Sequence, residues 1–222
     1  MSRNQQMTAG EFAARRNELP EAGRWHELHA GEPVSFQPPD DCHGTIVMNL
    51  SRELARWLQA SRPDVTAYAV HEVGLQVSSG PDTVYVPAIS LFDTGPMFSQ
   101  TDQVIASQVP RLVVEVASSN ERRRDMRQRT LAYRKLGVEI IWVPDPFKQE
   151  IQVLHRCRDT VALGVRQTLE GGTTLPGFCI DVAQVFAQPT WWSGPARGAA
   201  AAAPRPPAGP AFFSGRPEPE AN

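Results

Sequence analysis

The chain has 222 residues, of which 41% are hydrophobic and 21% are charged, and its formal net charge is −2. This length and composition suit one medium-sized globular domain with a tail. The near-neutral charge excludes a globally basic surface, so any nucleic-acid surface must be a local patch.

The cysteines and the N-terminus indicate where the protein resides. Cys42, Cys157 and Cys179 are too few and too widely spaced for a disulfide framework or a zinc site. The first residues lack the apolar region of a signal peptide, and no apolar run is long enough to cross a bilayer. We therefore expect a cytoplasmic protein that has no contact with membranes.

The N-terminal quarter of the chain predicts, in order, a short helix, two short strands and a long helix, at 8–17, 25–28, 32–36 and 43–60. Thr8 and Glu11 have the spacing of a capping box, which marks the start of the first helix. Asp41 is the predicted cap of the long helix, whose apolar residues recur at helical spacing. Glu27 lies within the first strand.

The next part of the chain has the residue pattern of strands. Residues 66–77 and 83–92 predict two long strands joined by a hairpin-type turn at residues 78–82. Pro87 inside the second strand marks an edge or bulge position, because proline has no N–H to donate. A polar loop region with a short helix is expected at residues 93–108.

The segment 110–145 predicts an apolar strand, an amphipathic helix and a second apolar strand at 139–143. Glu115 lies in the middle of the first strand, between apolar neighbours. A buried carboxylate is costly unless it has a partner, a metal ion or a water-filled cleft. Arg129 shares its helical spacing with Met126 and Tyr133, so it falls on the face that should pack.

The C-terminal part predicts a hairpin of strands at 150–157 and 160–169, followed by a short helix at 182–186. From about residue 188 the chain is rich in proline, alanine and glycine, which predicts a disordered tail. Two aromatic pairs in this tail, Trp191-Trp192 and Phe212-Phe213, are candidate anchors for a protein partner, and the alternative is a passive tail. The predicted division is a flexible N-terminus at 1–6, a domain at 7–187 and a tail at 188–222.

The predicted order of helix, three strands, helix and strand resembles the PD-(D/E)XK nuclease superfamily. Within it, the span from about Met7 to Phe186 resembles the Uma-type putative restriction endonuclease family. The stretches that carry the resemblance are MTAGEFAA, WHELHAGEPV, VYVPAISLF, PRLVVEVAS, DMRQRTLAYRKLGVEIIWVPDP and LPGFCIDVAQVF. The resemblance implies an α/β (α+β) fold with a restriction-endonuclease-like mixed central sheet flanked by helices, in the core order αβββαβ.

The resemblance also implies a chemistry, the Mg²⁺-dependent hydrolysis of DNA phosphodiesters. In the family, an Asp after a strand proline and a Glu in the next strand hold one or two Mg²⁺ ions, for which carboxylate oxygens are the preferred ligands. The metal activates a water and stabilises the charge on the phosphate. A lysine on the following helix assists. Mn²⁺ is the alternative metal, and an inactive member would need neither.

Two of the family's catalytic positions are changed in this sequence. The family Glu matches Glu115, and an upstream Glu matches Glu27, so both are implied metal ligands and catalytic residues. The family Asp falls on Ala88 and the helix lysine on Arg129, while position 117, where other superfamily members carry a lysine, is Ala117. We therefore expect an impaired site, in which Arg129 forms a bidentate salt bridge with Glu115 and closes the metal site.

Three interpretations of the function remain open at the level of sequence. The first is a Mg²⁺-dependent endonuclease in which another acid replaces the missing Asp, the candidates being Asp82, Asp93 and Glu72. The second is a non-catalytic relative that binds a protein partner through the tail or binds DNA through a basic cluster, comprising Arg122, Arg123, Arg124 and Arg127. The third is a decaying paralogue without activity. A homodimer is expected by analogy with related nucleases.

Overall fold

The computed structural model of the protein describes residues 6–60, 67–93 and 104–189. The tail from residue 190, nearly all of the N-terminal segment 1–6 and most of the loop region 93–108 lie outside these residues. In the ranges that are described, no helix combines the length and the apolar character needed to cross a membrane.

Four α-helices, two short 3-10 helices (Arg16–Glu18 and Pro20–Gly23) and twelve strands are present in the described part of the chain. The α-helices are α1 (Ala9–Arg15), α2 (Asp41–Ala60), α3 (Asn120–Leu136) and α4 (Val182–Phe186). The first six strands are β1 (His26–His29), β2 (Glu32–Ser35), β3 (Tyr68–His71), β4 (Leu75–Ser78), β5 (Thr83–Tyr85) and β6 (Ile89–Phe92). The last six are β7 (Leu112–Val114), β8 (Ile140–Asp145), β9 (Glu150–His155), β10 (Val161–Gly164), β11 (Thr168–Glu170) and β12 (Cys179–Asp181).

A six-stranded mixed sheet forms the centre of the fold, in the order β10-β9-β8-β7-β6-β3. Strands β7 and β8 pair in parallel, and the other neighbours in this sheet pair antiparallel. The chain visits α2, β3, β6, β7, α3 and β8 in that order. The predicted αβββαβ core and the predicted fold class are therefore confirmed.

The two faces of the central sheet carry different helices. Leu112 and Val114 of β7 belong to the apolar core that includes Leu50 of α2, whereas Val113 belongs to the core that includes Met126 of α3. Side chains along a strand alternate between the two faces. Glu115 has the parity of Val113, so its side chain lies on the side of α3.

The two long strands predicted at 66–77 and 83–92 are each divided between two sheets. The first breaks at Glu72, whose φ of 53° is a left-handed conformation that cannot continue a strand. The second breaks at residues 86–88 around Pro87, which has no N–H for a ladder. The outer halves, β4 and β5, join β1 and β2 in a small sheet of order β2-β1-β5-β4. This division brings Glu27 on β1 close to the residues after β5.

The C-terminal prediction is wrong in two respects. The single strand predicted at 160–169 is two strands, β10 and β11, because a turn closed by Gln167 N–H donating to Gly164 O separates them. Strand β11 pairs with β12, which was not predicted. The predicted helix at 182–186 is present as α4.

The two predicted helix starts have different outcomes. The capping box of Thr8 and Glu11 at the start of α1 is present. At α2, the cap is Asp40 rather than the predicted Asp41, since Asp40 Oδ1 accepts the His43 N–H at 2.8 Å. Asp41 is the first residue inside the helix.

Candidate active site

Glu115 directly follows β7, and its N–H donates to Trp142 O at 3.0 Å, which continues the ladder with β8. Helix α3 begins after Ser119, whose hydroxyl accepts the Arg122 N–H, and ends at Gly137, which has a φ of 112°. The helix carries Arg129 and Tyr133 on its buried face, above Glu115. Glu115 is 0% exposed and Arg129 is 3% exposed.

The guanidinium of Arg129 lies between two carboxylates. Its Nε and Nη2 both donate to Oε1 of Glu115, at 2.8 and 2.6 Å. Its Nη1 and Nη2 donate to Oε2 and Oε1 of Glu27, at 2.6 and 2.8 Å. The predicted pairing with Glu115 is present, but the bidentate partner that uses both carboxylate oxygens is Glu27. Glu115 Oε1 also accepts the Tyr133 hydroxyl at 2.6 Å.

Glu27 is held by two further contacts and is buried. The Val86 N–H donates to Oε1 at 2.7 Å, and His29 Nε2 lies 3.0 Å from Oε2. Burial alone would raise the pKa of Glu27, but the Arg129 charge and these hydrogen bonds outweigh burial and lower the pKa to about 2. Glu27 is therefore a carboxylate at neutral pH.

Two aromatic rings complete the surroundings of Arg129. Its guanidinium carbon lies 4.4 Å from the ring centroid of Tyr85, a cation–π distance. Burial lowers the pKa of Arg129, but Glu115 and Glu27 raise it by more, to well above its usual value. Burial raises the pKa of the Tyr133 phenol, so this hydroxyl stays protonated and donates to Glu115. The cation is therefore permanent and fully paired.

Ala88 directly precedes β6 and is buried. Ile89 pairs with Val114, the residue before Glu115, so Ala88 lies near Glu115 along the sheet, but its methyl group belongs to the apolar core that includes Val114 and Leu50 of α2. Ala88 lines a pocket of about 20 Å³ together with Glu27, Glu72 and Arg122, among others. Its methyl group offers no ligand atom.

The residues at this site do not fit Mg²⁺. The ion requires about six oxygen ligands in near-octahedral geometry. Three of the four carboxylate oxygens of Glu27 and Glu115 accept from Arg129, and the fourth, Glu115 Oε2, is buried without a hydrogen bond, 3.9 Å from Arg122 Nη1. In the ranges 6–60, 67–93 and 104–189, no group of three or more His, Cys, Asp or Glu side chains is arranged to hold a metal ion.

The three acids considered as replacements lie in different places. Asp82 accepts the Ala9 N–H at 2.7 Å and thereby holds the start of α1. Asp93 lies 2.9 Å from Arg111 Nε, at the other end of β6 from Ala88. Glu72 alone of the three lines the pocket beside Ala88.

The predicted basic cluster is spread around α3. Arg122 points toward Glu115 and lies over the ring of Phe36, whereas Arg123 lies over Phe147 on the side of β8. Arg124 and Arg127 are exposed. The structure therefore does not bring the four side chains together in one patch, because successive helical residues are rotated by about 100°.

The sequence analysis did not identify His29, Tyr85 or Tyr133 as site residues. His29 follows Glu27 by two residues on β1, and Tyr133 follows Arg129 by four on α3, so both spacings predict a shared face. Tyr85 reaches the site through the pairing of β5 with β1, for which the sequence holds no local signal.

His43, in the first turn of α2, is buried. Its Nδ1 lies 3.2 Å from Ser118 Oγ. Burial and the charge of Arg122 lower the pKa of His43 to about 4, so the imidazole is neutral at physiological pH.

Comparisons with known proteins agree with this fold. Residues 13–183 match the model of a family described as Uma2, putative restriction endonuclease. A crystal structure of a putative nuclease belonging to DUF820 from Anabaena variabilis ATCC 29413 superposes with a TM-score of 0.65 at 19% identity. The match covers 81% of this chain and 97% of that chain, and at this identity it shows the fold alone. No curated protein matches the sequence.

Proposed function

Because this chain belongs to the Uma2 family of putative restriction endonucleases, we propose that it is a member that binds DNA without hydrolysing it. One observation carries the proposal: Arg129 lies between Glu27 and Glu115, the two carboxylates that match the family's metal ligands. Its guanidinium satisfies charges that a divalent cation would otherwise neutralise.

The proposal follows from charge and from hydrogen bonding. A metal ion entering between Glu27 and Glu115 would have to displace four hydrogen bonds and approach a buried positive charge. The Ala88 methyl group provides no ligand atom that would compensate for these losses. A lysine ammonium is a compact donor that can turn toward a phosphate, whereas the planar guanidinium is fixed by both carboxylates. These contacts therefore support a structural role for Arg129 and not a catalytic one.

DNA binding is the part of the family's function that this arrangement leaves intact. Arg124 and Arg127 are exposed on α3 and provide cations for phosphate contacts. Because the net charge of the chain is −2, such binding must come from local cations and must weaken as salt rises.

Plasmid nicking in Mg²⁺ and in Mn²⁺ tests the loss of hydrolysis. The samples are the native protein, Glu115→Ala, and the repaired double variant Ala88→Asp/Arg129→Lys, with folding checked by thermal melting. We expect no nicking above background from the native protein and metal-dependent nicking from the repaired variant. Nicking by the native protein that Glu115→Ala abolishes would contradict the proposal, and Glu72→Gln would then test whether Glu72 supplies the missing ligand.

Duplex affinity as a function of salt tests the retained binding. The double variant Arg124→Ala/Arg127→Ala should bind more weakly and should flatten the slope of log affinity against log salt by about 2. The control is Arg166→Ala, which removes an exposed arginine from the turn between β10 and β11. Equal slopes in all three proteins would show that Arg124 and Arg127 do not contact the DNA.

A further inference from the structure

A groove of about 330 Å³ lies between the first half of α3 and strands β8 and β9. It shares no lining residue with the pocket beside Ala88. Its volume is at the lower end of the range for small-molecule sites, about 300–1,000 Å³. The groove is therefore a second candidate site, separate from Glu27, Glu115 and Arg129.

The charges around the groove favour an anion. Arg123, Arg127 and Lys148 line it, and Asp145 is the one acid among its lining residues. Asp145 Oδ1 already accepts the Phe147 and Lys148 N–H groups, at 3.0 and 3.2 Å. The lining therefore has a formal net charge of +2, which matches a phosphate monoester dianion.

Arg123 is held in place with hydrogen-bonding capacity to spare. Its Nη1 donates to Asn120 Oδ1 at 2.9 Å, and its guanidinium carbon lies 3.9 Å from the ring centroid of Phe147. Its Nε lies 3.5 Å from Asp145 Oδ2, and neither Nε nor Nη2, both inaccessible to solvent, makes a hydrogen bond within the described residues. The Arg123 side chain as a whole is 26% exposed and lines the groove, so its positive charge can act on an anion bound there.

The remaining surface of the groove suits a flat apolar group. Ala117, Met126 and Val143, all buried, contribute apolar lining. Phe147, between the lining residues Asp145 and Lys148 in the chain, is 71% exposed and provides an aromatic ring at the edge of the groove. Nucleobases stack on such rings with a gain of about 1–3 kcal/mol per base.

We propose that this groove binds a nucleoside 5′-monophosphate, with the phosphate against Arg123 and Lys148 and the base against the apolar lining and Phe147. The same chemical group occurs as a free nucleotide and as the phosphorylated end of a DNA strand. The proposal goes beyond the proposed function. Arg127 lines the groove and also serves the proposed duplex binding, but the phosphate contacts proposed here are those of Arg123 and Lys148.

The sequence contains only two lysines, Lys135 and Lys148. Substituting each of them in turn gives a matched pair of variants. Lys135 is exposed near the end of α3 and does not line the groove. Calorimetric titration would compare AMP, adenosine, and a short single-stranded DNA with and without a 5′-phosphate. The proteins are the native chain, Lys148→Glu and Lys135→Glu, each checked by thermal melting.

We expect AMP or the 5′-phosphorylated strand to bind the native protein at least tenfold more tightly than the ligand that lacks the phosphate. Lys148→Glu should lose this preference, while Lys135→Glu should stay within twofold of the native affinity. Preferential binding of AMP would identify a free nucleotide, and binding of the phosphorylated strand alone would identify a strand end.

Equal binding with and without the phosphate, or equal loss in both lysine variants, would overturn the proposal, as would no binding of any ligand at millimolar concentration. Closed circular duplex DNA, which has no ends, is titrated in parallel. Its binding reports on the proposed function separately from the groove.

Discussion

Arg129 is the residue on which the interpretation of the site depends. Its guanidinium forms a permanent ion network with Glu27 and Glu115, because arginine does not lose its proton in proteins. The network is buried, so each member is costly if its partner is removed. This makes the role of Arg129 testable by stability as well as by activity.

Removal of Arg129 should destabilise the fold severely. Arg129→Ala leaves Glu27 and Glu115 buried without their cation, and we expect the free energy of unfolding to fall by about 3–5 kcal/mol. Arg129→Lys retains the charge but loses the bidentate geometry and should cost about 1–3 kcal/mol. Denaturant unfolding measures both, with Arg127→Ala as the control on the exposed side of α3. A loss below 1 kcal/mol for Arg129→Ala would show that the network does not hold the fold.

Glu27 should make the stability of the protein sensitive to acid. Its pKa is about 2 in the folded protein against a usual 4.5, so its contribution of about 3 kcal/mol is complete above pH 4.5 and is lost as pH falls toward 2. Glu27→Gln lacks this proton-linked contribution. Between pH 6 and pH 3, urea unfolding should therefore show the native protein losing about 2 kcal/mol more than the variant. Parallel losses would mean that Glu27 has an ordinary pKa.

At the scale of elements, the sequence predicted helices better than strands. The capping box at Thr8 and the apolar spacing of α2 and α3 are local signals, and those helices are present. The division of residues 66–77 and 83–92 between two sheets was missed, because it depends on a left-handed residue at Glu72 and on pairing partners elsewhere in the chain. Strand β12 was missed for the same reason, since it forms only against β11.

The start of α2 gives a prediction that separates two adjacent aspartates. Asp40 accepts the His43 N–H, whereas Asp41 lies inside the first turn. Asp40→Ala should lower the free energy of unfolding by about 1 kcal/mol, the usual value of an N-cap. Asp41→Ala loses only the interaction with the helix dipole and should cost less than half as much. Thermal or denaturant unfolding of the two variants decides this, and the reverse order would restore Asp41 as the cap.

At the scale of the whole molecule, the order of the elements and the family could be predicted, and the contacts of the site could be predicted only in part. The unusual positions of Glu115 and Arg129 were visible in the sequence, because a charge among apolar neighbours breaks a local pattern. The bidentate partner of Arg129 was not, because Glu27 is 102 residues away and reaches it only through the pairing of β1 with β5. The spread of the arginines around α3 follows from helical geometry and was predictable in principle.

The most direct test of the account is a titration with Mn²⁺. Binding is measured as the loss of the electron paramagnetic resonance signal of the free ion. The samples are the native protein, Glu115→Gln and Ala88→Asp/Arg129→Lys. The account predicts that the native protein binds no Mn²⁺ that depends on Glu115, and that the repaired variant gains a site for about one ion, as expected for a pair of carboxylates free of Arg129. A native protein that binds Mn²⁺ and loses that binding in Glu115→Gln would show that Arg129 leaves the metal site open, and the account would be wrong.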